Sequence, residues 1–175
     1  MKEEFIKKYN NHEYISNDLY LNVLANYSGA VPSNFNIDTY NDIVLEKLYL
    51  LNKDYFDNFY KDIDPNIKLD KEQCKAILSD EKYSLIIAGA GTGKTTTMAS
   101  KVKYLVEKKN ILPEKILVLS YTRKATEELD KRICLDYNIQ HTLQHFIHLV
   151  MNTLEKYLII ENALYLIEIK KEKSF

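Results

Sequence analysis

Residues 84–97 read Ser84-Leu85-Ile86-Ile87-Ala88-Gly89-Ala90-Gly91-Thr92-Gly93-Lys94-Thr95-Thr96-Thr97, and this stretch decides the fold. The 175-residue chain holds four glycines, and three of them are Gly89, Gly91 and Gly93. A soluble chain of this length would ordinarily carry about a dozen. The cluster therefore marks one loop where the backbone curls tightly or comes close to something. Positions 88–95 fit the phosphate-loop pattern G-x-x-x-x-G-K-[ST], with Ala88 where the first glycine usually stands. The apolar run 84–88 predicts a buried strand before the loop, and a helix over 94–108 follows it, with Met98, Val102 and Leu105 on one face. In such a loop successive N–H groups turn inward on phosphate oxygens, and the helix start adds further donors and a positive dipole end. Lys94 is expected to reach the β- and γ-phosphates of ATP and Thr95 to ligate Mg²⁺. Ala88, Gly89, Ala90, Gly91, Thr92, Gly93 and Thr96 complete the expected cradle.

Downstream, residues 116–121 form a second apolar run and 124–133 a second helical pattern. Strand, helix, strand and helix at this spacing predict a parallel sheet with right-handed crossovers, hence an α/β fold. A further helix is expected over 142–157; on it His141, His145 and His148 would share a face, with no acidic or thiol partner for a metal. Residues 163–175 fit strand or helix equally. Upstream, Asp70 with Gln73 three residues later predicts a capping box opening a short helix through 78. Residues 1–66 read as helical. Apolar side chains recur at helical spacing from Tyr40 to Tyr60, Pro65 ends that run, and 27–38, with Gly29 and Pro32, reads as a loop. The 14 tyrosines are expected to pack their rings and keep their hydroxyls wet.

The composition, 46% apolar and 28% charged, is that of an ordinary globular chain. Residues 1–69 carry a net charge of −4 and 70–175 a net of +3, a swing that permits a nucleic-acid partner without demanding one. Cys74 and Cys134 do not make a disulfide framework or a zinc motif, which suits a reducing compartment. The N-terminus has acids where a secretory leader needs a basic patch, and no apolar stretch approaches the roughly 20 residues that cross a bilayer. A cytoplasmic location without a membrane partner is expected.

The flanks of the loop carry a resemblance. Leu69-Asp70-Lys71-Glu72-Gln73 resembles the "L-[ND]-x-x-Q" motif of the UvrD/Rep-like superfamily 1 DNA helicases, and 88–97 is similar to that family's "A-G-A-G-[ST]-G-K-T". Thr96 stands where some members carry an arginine. Ser120-Tyr121-Thr122-Arg123-Lys124-Ala125-Thr126-Glu127-Glu128-Leu129-Asp130-Lys131-Arg132 resembles the family's motif Ia, with Ser120 for threonine and Thr126 for alanine. Thr142-Leu143-Gln144-His145-Phe146 looks like a degenerate motif Ib, with Gln144 at the histidine position. The N-terminal residues 5–10 are faintly similar to helicase IV-type members. The resemblance implies a partial RecA-like P-loop NTPase domain over 67–175, preceded by the helical region 1–66. It implies that Gln73 reads adenine, a task a side-chain amide performs by pairing with N6 and N7. It also implies that Tyr121, Thr122, Arg123 and Lys124 line a groove for single-stranded DNA, where an aromatic ring stacks a base and basic groups hold phosphates.

By the same resemblance, hydrolysis needs a Walker B acid pair and a second motor domain with its arginine, and neither is recognisable through residue 175. Glu161 and Glu168 follow apolar residues but lack the paired acid. Three readings follow. One is a truncated or split ATP-dependent DNA helicase, able to bind ATP but nearly inert alone; this reading is preferred. Another is an ATP-binding module completed by a partner chain. The third is a non-catalytic DNA- or protein-binding relic.

Overall fold

A computed structural model describes residues 1–89, 91–120, 123–139, 142–145 and 165–167. The chain divides into two compact units, Met1–Leu85 and Ile86–Phe175.

The first unit is helical: α1 (Lys2–Asn10), α2 (Asn17–Asn26), α3 (Ile37–Leu51), α4 (Lys53–Asp57) and α5 (Lys71–Leu78). Ser16 and Asn36 start α2 and α3 by accepting the N–H groups of Leu19 and Thr39 at 3.3 and 2.8 Å, as N-cap side chains do. Phe5, Ile15, Leu19, Val23 and Ile37 form the core, with Tyr20, Phe35 and Tyr40 against it. Phe5 and Tyr9 both meet the Phe35 ring edge-on, centroids 5.8 and 5.6 Å away. The Tyr40 hydroxyl donates toward the Lys8 carbonyl in the last turn of α1, at 3.2 Å, and the Glu13 carbonyl just beyond it, at 3.0 Å. In this cluster the tyrosines act as packed rings with polar tips.

Asn41 is the buried polar residue of this unit, 6% exposed. Its Oδ1 accepts the Ile15 N–H at 3.1 Å and its Nδ2 donates to the Ile15 carbonyl at 2.7 Å. One side-chain amide thus serves both backbone groups of a residue with no helix to satisfy them. Glu81 plays a related part at the start of α2. Its carboxylate accepts the Asn17 N–H at 3.1 Å and the Tyr14 hydroxyl at 2.8 Å, placing negative charge at a positive helix end. Burial and this carboxylate push the Tyr14 phenol well above its ordinary range.

The helix expected from Tyr40 to Tyr60 is interrupted. It stops at Asn52, whose Nδ2 donates to the Leu48 carbonyl at 2.8 Å, and α4 stops where Asn58 does the same to Asp54 at 2.7 Å. The backbone N–H groups of Asn52 and Asn58 donate to the same carbonyls at 3.0 and 3.2 Å, so each amide doubles the last bond of its helix. Phe56, Phe59 and Tyr60 stay buried across the break, so the apolar face persists without a continuous helix.

In the second unit α6 (Lys94–Glu107) packs Met98, Ala99, Val102 and Leu105 against Ile116 and Val118 of β1 (Ile116–Ser120) and against Leu129, Ile133 and Ile139. The last three come from α7 (Arg123–Asp130), the π-helical turn Lys131–Asp136 that continues it, and the loop beyond. Asn110 and Asn138 end these helices at φ 54° and 53°. The next residues then donate six back, Ile111 to Leu105 and Ile139 to Ile133, at 3.0 and 3.1 Å, a closure one residue wider than the Schellman bond. β1 lies between two parallel neighbours, β2 (Thr142–His145) and β3 (Tyr165–Ile167), with Val118 opposite Leu143 and Ile167.

Two expectations are corrected here. Residues 84–88 form no strand; Leu85 and Ile87 are 75% and 74% exposed. A strand forms only by pairing, and the described sheet, in the order β2-β1-β3, does not include this run. Thr142–His145, expected to open a helix, is a strand; of the three histidines expected to share a helical face, His145 lies in it, and His141 and His148 lie outside the described residues. The parallel partner outweighs the local pattern. The rest of that expected helix, 146–157, and Glu161 and Glu168 lie outside the described residues. In the undecided tail, Tyr165–Ile167 is strand.

Candidate nucleotide site

The loop takes its shape from two glycines with left-handed backbones. Gly91 has φ 78° and Gly93 φ 85°, a region that costs other residues roughly 1–2 kcal/mol. Between them the Thr92 hydroxyl donates to Gly89 O at 2.8 Å and pins the turn. Gly93 is the N-cap of α6 and supplies no capping side chain. The first bond of the helix runs from Thr97 N–H to Gly93 O at 2.8 Å. The N–H groups before it have no i−4 carbonyl in the helix and face the loop side. Lys94 folds back over the loop, its ammonium donating to the carbonyls of Ala88, at 2.6 Å, and Gly89. The positive charge thus sits at the mouth of a turn whose glycine backbone lets a ligand approach. Ala90 lies outside the described residues.

Thr95 and Thr96 are half-buried in the first turn of α6. The spacing of the motif did not reveal the next two hydroxyls inward. Thr97 and Ser100 are 3% and 0% exposed and donate to the i−4 carbonyls of Gly93 and Thr96 at 3.0 and 2.8 Å. They tie the glycine cap to the buried face of the helix; nothing in the phosphate-loop pattern asks for them.

A contrast between two glycines follows. An added Cβ at Gly89 meets Thr92 Cγ2 at 3.6 Å, an ordinary contact, and at Gly91 meets nothing within 4 Å while φ stays at +78°. Gly91→Ala is expected to lower stability by about 1 kcal/mol, whereas Gly89→Ala leaves it unchanged. Thermal melts of both variants without nucleotide check this; equal melting temperatures would show that the loop relaxes around Gly91.

Gln73 lies in the first unit, in the first turn of α5. The capping box is formed: Gln73 N–H donates to Asp70 Oδ1 at 2.8 Å and Gln73 Oε1 accepts Asp70 N–H at 2.9 Å. On the same helix Cys74 is a buried free thiol, pushed up to about 11 by burial. It stays protonated at neutral pH and packs as a small apolar group.

Just past the carboxyl end of β1, where ligands bind in open α/β sheets, α7 begins. Arg123 opens α7 and Lys124, next in the helix, is exposed; Tyr121 and Thr122 lie outside the described residues. Further along, Arg132 pairs with Glu128 at 3.3 Å across one helical turn.

Comparison with known proteins decides the family. The sequence model of the UvrD/REP helicase N-terminal domain matches residues 69–171, more than half of the chain. The chain belongs to the UvrD/REP helicase N-terminal domain family. Its curated relatives include a probable DNA helicase II homolog of Mycoplasma capricolum, 45% identical over 65 residues, which are 37% of this chain and 9% of the relative. DNA helicase IV of Escherichia coli is 36% identical over 76 residues, 43% of this chain and 11% of that protein. The ATP-dependent DNA helicase PcrA of Staphylococcus epidermidis is 37% identical over 65 residues, 37% and 9% of the two chains. The matched residues thus span about a tenth of these relatives' length. The phosphate loop, the capped α5 and α7 all fall within the UvrD/REP match, while α1 to α4 precede it. Among the described residues no helix is long and apolar enough to cross a membrane.

Proposed function

We propose that this chain is the ATP-binding part of a UvrD-like, ATP-dependent DNA helicase, built on a RecA-like domain from about residue 67 onward. The observation that carries the reading is the loop itself. Left-handed Gly91 and Gly93 lead into α6, with Lys94 at its start, inside a UvrD/REP helicase match.

In this reading Lys94 moves from the loop carbonyls to the β- and γ-phosphates, and the N–H groups of 89–96 surround the phosphate oxygens. Thr95 would hold Mg²⁺, which supplies charge neutralisation between the phosphates when bound; a hydroxyl beside a phosphate cradle suits a hard, oxygen-loving cation. Gln73 would read adenine. Tyr121, Thr122, Arg123 and Lys124 would hold single-stranded DNA, with both basic residues at a helix start where phosphate is welcome. The acid pair and second motor domain that hydrolysis requires would be supplied from outside the matched stretch, by the same polypeptide or a partner. The residues described here would contribute nucleotide and strand binding.

Calorimetry with Mg²⁺ and ATP tests the reading: saturable heat is expected from the folded chain, and none with ATP or ADP would overturn it. The DNA half has its own check. Lys124→Glu is expected to weaken binding of a short single strand several-fold at low salt and to flatten the salt dependence by about one to two phosphate contacts. Anisotropy over a salt series reads both, and an unchanged slope would remove Lys124 from the groove.

A further inference from the structure

The helix that carries Gln73 takes its orientation from residues outside the family match. α5 packs on α3, burying Cys74, Ile77 and Leu78. α3 covers 37–51, whereas the match to the UvrD/REP family begins at residue 69. On the polar side of this contact one carboxylate binds two lysines that flank Gln73 in sequence. Glu46 Oε1 takes the Lys71 ammonium at 2.8 Å and Glu46 Oε2 takes that of Lys75 at 3.2 Å. Lys71 also lies over the Tyr49 ring, 5.9 Å from its centroid. The Lys75 side chain is 18% exposed, less than that of any other lysine paired within this unit.

We propose that Glu46, with Tyr49, is a positioning residue for adenine recognition, holding α5 so that Gln73 presents its amide edge to the base of the nucleotide. This rests on the reading of Gln73 as the adenine reader. The argument is geometric. Lys71, Gln73 and Lys75 stand at the first, third and fifth positions of α5. A carboxylate gripping the first and fifth fixes both the roll and the slide of the turn between them. The capping box fixes the Gln73 side chain relative to its own helix, but only a contact from another element fixes that helix relative to the rest of the unit. An exposed ion pair is a weak source of stability, so a bridge of this form acts chiefly by selecting one orientation. Its effect is expected on base discrimination, where a displacement of about 1 Å in the reading group is felt.

The test compares affinity for ATP with affinity for inorganic tripolyphosphate, which has the phosphates and no base, using the full chain with Mg²⁺. Gln73→Ala is expected to lower the ratio about ten-fold. Glu46→Lys, which sets a cation against both lysines, is expected to lower it about five-fold while tripolyphosphate binding stays the same. The triple variant Glu46→Lys, Lys71→Glu, Lys75→Glu, which exchanges the signs, is expected to recover it. Where Glu46→Lys fails to fold, Glu46→Gln removes the charge and keeps the shape, with an expected fall of about two-fold. A ratio that falls in Gln73→Ala but stays at the wild-type value in the Glu46 variant overturns the positioning role and leaves the adenine reader standing. A ratio unchanged in Gln73→Ala overturns both. A ratio that falls in Glu46→Lys and is not recovered by the exchange also counts against the bridge.

Discussion

Lys94→Ala is expected to weaken Mg²⁺–ATP binding about a hundred-fold, the largest effect on ligand binding that any single side chain of this protein should have. Hydrogen bonds to charged groups contribute about 1.5–3 kcal/mol net, and Lys94 is placed to make such contacts with two phosphates. Against this stands what it gives up. Without nucleotide its ammonium is already held by the carbonyls of Ala88 and Gly89, so only the difference between the two sets of partners appears as affinity. Trading neutral carbonyl acceptors for ionised phosphates leaves about 3 kcal/mol, which is roughly two powers of ten. Titration calorimetry on wild type and variant measures it directly. The melting temperature should move little, because Gly89 is exposed and water can replace the lysine at its carbonyl. A variant that binds ATP within three-fold of wild type would mean that the cradle N–H groups carry the phosphates alone.

The parts of this site that could be read in the amino-acid sequence are those whose physics is local. Gly91 and Gly93 announce positive φ because few other residues tolerate it. Lys94 and Thr95 sit next to them in the same turn, and Asp70 announces a capping box because its partner Gln73 is three residues away. Each inference needs only neighbours within one helical turn. The helix after the loop was legible for the same reason, since Met98, Val102 and Leu105 describe one face whatever that face meets.

Pairing between distant segments was not legible. The run 84–88 has every local mark of a strand, but a strand forms only by pairing with another segment, and β1 pairs instead with 142–145 and 165–167. Thr142–His145 failed in the opposite direction. Four residues are too few to separate a period of 2 from one of 3.6, and its partner strand lies some 25 residues earlier. Asn52 shows a third kind of loss: its side chain joins its own N–H on the Leu48 carbonyl where a helix stops that the apolar spacing continues. Spacing records which face is buried, and it carries no information about where a helix along that face stops. The role of Glu46 was hidden for a related reason, because its two lysine partners stand 25 and 29 residues away in sequence and on another helix.

The same distance makes Asn41 a polar residue whose loss should cost much stability. Asn41→Leu is expected to destabilise the protein by about 3 kcal/mol, although leucine is the more apolar side chain and the site is 6% exposed. The substitution strips partners from the Ile15 N–H and the Ile15 carbonyl together, and Ile15 itself is fully buried at 0% exposure. Each backbone group left unpaired away from water costs about 1–3 kcal/mol, while the gain from burying the leucine is about 1.5–3 kcal/mol at most and shrinks if the larger branched side chain fits poorly. Asn41→Ala should be worse by the cavity it leaves. Asn41→Asp separates the two bonds: its carboxylate still accepts from Ile15 N–H but sets a negative oxygen against the carbonyl that Nδ2 now serves. It should therefore destabilise at neutral pH and regain part of the loss as acid protonates it. A unit the size of Met1–Leu85 shifts by about 4–8 °C for each kcal/mol, so the leucine variant should melt about 12–24 °C lower, with the alanine variant lower still. Circular dichroism melts of the three variants give the order. A leucine variant as stable as wild type would show that Ile15 finds its hydrogen bonds elsewhere and that the first two helices are not fixed to α3 through this amide.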